Sequence, residues 1–164
     1  MICSVAMKRL SAATLALSAI VFGASVLVGN SRASGAANIT FMCSAADRQF
    51  ISTVSSQLTQ LSYWSDSLVS HDVAPGIVVK QARAEADQVG ATRPTDRTLH
   101  ASRDLIGSMF VEYSRAVAAS AKNTNADVHM QNAWRLATAS HKLLAGASSG
   151  LAAQGCDVAP LLQS

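Results

Sequence analysis

The sequence predicts an all-α fold: an antiparallel up-down four-helix bundle, its second helix shorter than the rest, closed by an N-to-C-terminal disulfide. Three observations carry this expectation. Apolar residues recur at spacings of three and four in four separate segments. Each segment is bounded by residues that start or stop helices. Cys43 and Cys156 bracket the four segments and lie 113 positions apart. An even number of antiparallel passes returns the chain to the end where it began, whereas an odd number separates the cysteines by a helix length, about 1.5 Å per residue. No stretch alternates polar and apolar residues cleanly, so no sheet is expected.

Residues 1–36 read as a secretory signal peptide. Lys8 and Arg9 supply the positive start, residues 10–29 are uncharged and largely apolar, and Ser34, Gly35 and Ala36 are the small residues a signal peptidase reads. Initiation at Met7 in place of Met1 gives a tidier signal. An apolar run of this length also reaches across a bilayer, so a membrane anchor over residues 10–29 is the rival reading. The small residues that follow it favour cleavage, which leaves residues 37–164 as a single helical domain, secreted or held in the cell envelope. Thr40, Phe41 and Met42 precede Cys43 and do not resemble a lipoprotein cleavage site. Asn38-Ile39-Thr40 fits the glycosylation sequon, which matters only in a eukaryotic secretory pathway. Cys3 leaves with the signal, and the remaining pair, Cys43 and Cys156, in an oxidising compartment is expected to form a disulfide. Closing a loop of roughly 100 residues contributes about 4–5 kcal/mol in the chain-entropy view.

The first helix begins at Ser44, a capping residue followed by Asp47 at the positive end of the helix dipole. Ile51, Val54, Leu58, Leu61, Ser65 and Leu68 form its inward stripe, widened by Phe50 and Trp64, and it runs to about Ser70. His71 to Gly76 break it, and Pro75 suits the first turn of a second helix. Val78, Ala82, Ala86 and Val89 line that shorter helix, which Gly90 closes. After Pro94, Thr95 or Asp96 caps a third helix reaching about Lys122, with Leu99, Ile106, Met109, Phe110, Tyr113 and Val117 inside. Asn125 caps a fourth, whose stripe is Met130, Trp134, Ala137, His141, Leu144 and Leu151, flanked by Leu136, Leu143 and Ala147. Gly146 and Gly150 suggest a close helix contact, and Gly155 stops the helix before Cys156. The apolar tail from Val158 to Leu162 should lie on the bundle.

The chain is 49% hydrophobic and 14% charged, with a net charge of +3. Lys8, Arg9 and Arg32 lie in or beside the leader, and the ten basic residues that remain balance all ten acidic ones. Nucleic acid is therefore not an expected partner, since phosphate neutralisation needs a basic face.

Chemistry is sparsely encoded. There is no Glu-x-x-His pair for a carboxylate metal centre and no Gly-x-Ser-x-Gly elbow, and both remaining cysteines are committed to a disulfide. No catalytic residue, metal ligand or cofactor is assigned, and no enzymatic activity is expected. In an up-down bundle Tyr63, Trp64, Phe110, Tyr113 and Trp134 fall at one level in the half far from the disulfide, with His71 and His129 near that rim. One reading makes them an aromatic core layer with polar tips in water. The other makes them a binding site for a partner protein, an envelope component or a small apolar ligand, with haem as a minor alternative because His or Tyr can ligate its iron. His141, on the apolar stripe, reads as a hydrogen-bonded core histidine. The expected function is thus a non-enzymatic exported binding module, against the alternative of a structural envelope-associated protein with no pocket. Intact mass of the exported protein tests the first step: it should lack about the first 36 residues and take up no alkylating reagent without reductant, whereas alkylation at both cysteines would refute the disulfide.

Overall fold

The structure is a computed structural model and describes residues 42–163. The signal sequence, its alternative as an anchor, Cys3 and the Asn38 sequon lie outside the described residues. The described chain is all-helical: α1 (Ala45–Val69), α2 (Pro75–Ala91), α3 (Arg97–Ala121), α4 (Asp127–Ala153) and the single turn α5 (Ala159–Leu162). The four long helices pack against one another, and Cys43 is bonded to Cys156 with their Cα atoms 4.9 Å apart. Phe50, Val54, Val78, Val89, Leu99, Phe110 and Leu144 are fully enclosed. Helix α3 is the centre of the packing, closely apposed to α2 on one side and to α4 on the other, while α1 is held mainly by α2 and the tail.

The helix ends follow from their local chemistry. Ser44 accepts from the Asp47 amide at 3.0 Å and donates to its carboxylate at 2.6 Å. Asp96, not Thr95, caps α3, accepting from the amides of Thr98 and Leu99 at 2.7 and 3.1 Å. Pro75 occupies the first turn of α2. That helix runs through Gly90, one residue beyond the expected stop, and closes where the Thr92 amide and hydroxyl both donate to the Val89 carbonyl. Ala126 is the N-cap of α4, and Asn125 acts from one position earlier by accepting from the Asp127 amide. Three helices share one stop: His71, Asn123 and Gly155 have φ of 63°, 54° and 78°. In each case the next residue's amide reaches back five positions, as Asp72 to Ser67, Thr124 to Ala119 and Cys156 to Leu151. The tail lies on the bundle as expected, with Val158 and Leu161 buried.

One face differs from the sequence expectation. On α4 the buried residues are Ala133, Ser140, Leu144 and Leu151, with Ala137 and Ala147 packed beside them. Trp134 and His141 point outward instead. Around Ser140 the inward positions Ala133, Ala137 and Ala147 are small, which lets α4 approach α3 closely enough for Ser102 and Ser140, both buried, to share a hydrogen bond of 2.8 Å. A Trp or His at that seam would hold the helices apart. Gly146 and Gly150 face open space, with nothing within 4 Å of a Cβ at either, so the expected contact there is absent within the described chain.

Beside the disulfide, the buried Asp47 carboxylate joins the start of α1 to the connection between α2 and α3. It accepts from Ser44 Oγ, from Thr95 Oγ1 at 2.7 Å, and from the backbone amides of Thr95 and Asp96 at 2.7 and 3.0 Å. Burial alone would raise its pKa, but these donors outweigh burial and hold it below the ordinary aspartate value of 3.8. The stabilisation this represents is present above that value and is lost as pH falls through the lowered one. Asp47→Ala should destabilise the domain by about 2–3 kcal/mol at neutral pH, because it leaves charge-assisted donors unmade. Denaturant titration at falling pH should show the difference from wild type shrinking below about pH 4.

Candidate functional site

Two hydrogen bonds tie α1, α3 and α4 together in the half far from the disulfide. Ser65 Oγ on α1 meets Tyr113 Oη on α3 at 2.8 Å. From the neighbouring position Glu112 meets His129 Nδ1 on α4 at 2.8 Å and is also paired with Arg115. The hydrogen bond from His129, with Arg115 beside it, holds the Glu112 carboxyl below the usual glutamate range against the opposing effect of burial. Burial pushes the Tyr113 phenol up; the nearby Glu85 and Asp66 add to that, and its bond to Ser65 works against it.

The six residues expected at a site divide around this level. The rings of Tyr63 and Trp64 are in edge contact, 5.1 Å between centroids at 69°. Tyr113 is tied to the same stretch of α1 through Ser65, and His129 is tied to α3 through Glu112. Trp134 and His71 stand apart from these contacts. Trp134 is 46% exposed, and His71 is the exposed left-handed residue that ends α1. Tyr63 is 62% exposed. Its ring and that of Trp134 thus present themselves to solvent, where they can meet another surface.

Beneath this level lies a polar cluster that the sequence reading passed over. Glu85 on α2 is 2% exposed, and neither carboxyl oxygen has a hydrogen-bond partner among the described residues. Gln57 on α1 is also buried; its amide nitrogen donates to Gln88 Oε1 at 2.9 Å, and its own oxygen is unpartnered. Desolvation pushes Glu85 up to about 7. A buried acid with no donor and no cation favours its neutral form, since an uncompensated buried charge is costly. A signal for this existed in the spacing: Val78, Ala82, Glu85 and Val89 continue one inward stripe, with Glu85 at an interior position.

Two open grooves mark the surface. One of about 560 Å³ runs along α3 between α2 and α4, over Ala86, Gly107 and Leu136. Its arginines are already engaged, Arg103 with Asp104 and the Thr92 carbonyl, Arg115 with Glu112. The other, about 510 Å³, lies near the disulfide between Ser52, Ser55 and Ser56 of α1 and Asp157. Among the described residues no group of three His, Cys, Asp or Glu side chains is placed to hold a metal ion, and no helix is long and apolar enough to cross a membrane. No family model, curated protein or solved structure matches the chain.

The Glu85 environment sets a pH dependence. The folded chain keeps a proton that the unfolded chain releases at 4.5, so stability declines as pH rises from 4.5 to about 7 and is flat above. Replacing Glu85 with Leu or Gln should therefore stabilise the domain at pH 8 by up to about 3 kcal/mol and change little below the ordinary glutamate value. Denaturant midpoints across this range measure it; a difference independent of pH would refute it.

Proposed function

We propose that this chain is an exported, single-domain antiparallel up-down four-helix bundle that binds a partner protein through the end remote from its disulfide. Constant register supports the topology. Asp47 with Thr95 and Ser65 with Tyr113 share a sequence separation of 48, as expected if α1 and α3 run parallel. Moving up α3 from Ser102 to Glu112 moves down α4 from Ser140 to His129, as expected of antiparallel neighbours. Arg103 reaches the Thr92 carbonyl, and Gly107 lies over the Ala86 carbonyl, the same relation between α3 and α2. The disulfide is compatible with an extracellular location.

The observation that carries the binding role is the distribution of exposed large apolar side chains. Tyr63 and Val69 lie in the last turns of α1, Ile77 in the first turn of α2, and Val128 and Trp134 in the first turns of α4. In the up-down arrangement these positions gather at the far end and along its flank. Only Met42, of the large apolar residues exposed among those described, lies at the stapled end. Aromatic side chains presented outward on a rigid scaffold suit recognition of a protein surface, where Tyr and Trp contribute most per residue. They are less suited to enclosing a small ligand, which needs concave apolar walls. No residue is assigned a catalytic role.

A photo-crosslinking residue placed at Tyr63 or Val128 in the native host should capture a defined partner, and the same residue at Ser149, toward the disulfide end, should not. Replacing Tyr63 and Trp134 together with Ser should weaken that capture at least about tenfold while shifting stability by less than about 0.5 kcal/mol. Identical capture profiles at positions 63 and 149 would overturn the reading.

A further inference from the structure

Helix α1 is secured unevenly along its length. Its first half holds the buried Phe50, Ile51 and Val54, the Asp47 network and the disulfide immediately before it. In its second half Leu58, Leu61, Trp64 and Leu68 are only half-buried, and the side chains fully buried there are polar, Gln57 and Ser67. The unpartnered carboxyl of Glu85 lies opposite this second half, next to the Gln57–Gln88 pair and close enough to Tyr113 to affect its phenol.

We propose that Glu85 is a proton-dependent latch: neutral, it lets the far half of α1 close on α2 and α3; ionised, it drives that half away while the disulfide-tethered half stays in place. Opening uncovers Leu58, Leu61, Trp64 and Leu68, adding an apolar strip to the surface that already carries Tyr63. The physical reason is the absence of compensation. Tyr113 from α3 faces this interior, and Asp66, exposed on α1, acts on the same phenol; both are acids, and neither neutralises a carboxylate. On α2 itself Lys80, Arg83 and Asp87 are exposed. From α3 and α4 the charged groups at this height, Glu112, Arg115 and His129, are committed to one another. An ionised Glu85 thus has water as its only remedy, and the least expensive route to water is the loosely packed half of α1. The latch stands or falls independently of whether a partner protein binds.

Hydrogen exchange of the exported, disulfide-intact chain tests it, at about pH 5.5 and about pH 8.5, corrected for intrinsic exchange rates. Protection of residues 57–69 should fall by roughly ten- to a hundredfold at the higher pH, while residues 47–54 and all of α3 and α4 keep theirs. Glu85→Gln and Glu85→Met should each make protection of 57–69 independent of pH. In a Trp134→Phe background, Trp64 emission should shift to the red over the same interval, a readout on the wild-type latch that needs no change at Glu85. Unchanged protection and emission in the chain with Glu85 would overturn the proposal. So would a loss spread evenly over α3 and α4, or the same pH response in a folded Glu85 variant.

Discussion

The stapled end of this molecule depends on one carboxylate. Asp47 stands four residues after Cys43, inside the closed loop, and gathers donors from the start of α1 and from the connection between α2 and α3. It is a poor candidate for burial on its own, and its environment makes it a good one: each donor is either a backbone amide at a helix start, which needs an acceptor in any case, or the hydroxyl of Ser44 or Thr95. The arrangement places α1 and α3 side by side with a defined offset. That same offset reappears where Ser65 meets Tyr113. The disulfide closes the chain at the same end, so the covalent and the hydrogen-bonded constraints reinforce each other.

Glu85 is the counterpart of Asp47. Both are carboxyls removed from water, and they differ in what surrounds them. Burial raises both, but hydrogen-bond donors outweigh it at Asp47 and lower that pKa, whereas at Glu85 burial acts unopposed and raises it. Their effects on stability have opposite signs along the pH scale, so together they place the most stable range in mildly acidic conditions. The difference also maps onto the length of α1. Its anchored half is held by a disulfide, a satisfied charge and aromatic packing, and its other half by polar groups with unmet needs.

This asymmetry makes physical sense of where recognition is proposed. The start of α1 is tied down by the disulfide and Asp47, while Tyr63, Val69, Ile77, Val128 and Trp134 present outward aromatic and aliphatic side chains. Small residues contribute in another way. Ala133, Ala137, Ser140 and Ala147 let α4 lie close to α3, and this close seam turns the flanking Trp134 away from the interior. A residue type most often found inside is thus presented outside because its neighbours are small, which frees it for contact with another molecule.

Much of the fold was legible in the residues alone. Ser44, Asp96, Pro75, Asn123 and Gly155 act locally, through capping bonds or a left-handed turn, so their effect can be read without knowing what the helix packs against. The cysteine pair was legible too, because two thiols bracketing the helical segments are expected to bond, and Cys43 and Cys156 do. What the sequence did not reveal depended on neighbours distant along the chain. On α4 the expected stripe holds at Ala137, Leu144 and Leu151 and departs at Trp134 and His141, because the close approach of α3 around Ser140 selects small side chains there. Glu85 lies on an interior stripe, but only the positions of α1 and α3 show that burial leaves it without a donor among the described residues. The sequence by itself determined four helices, their ends and their closure, since these rest on short-range hydrogen bonds and covalent pairing. Tertiary structure alone decided which aromatics face water and which carboxyl is stranded, because both depend on how closely two helices approach.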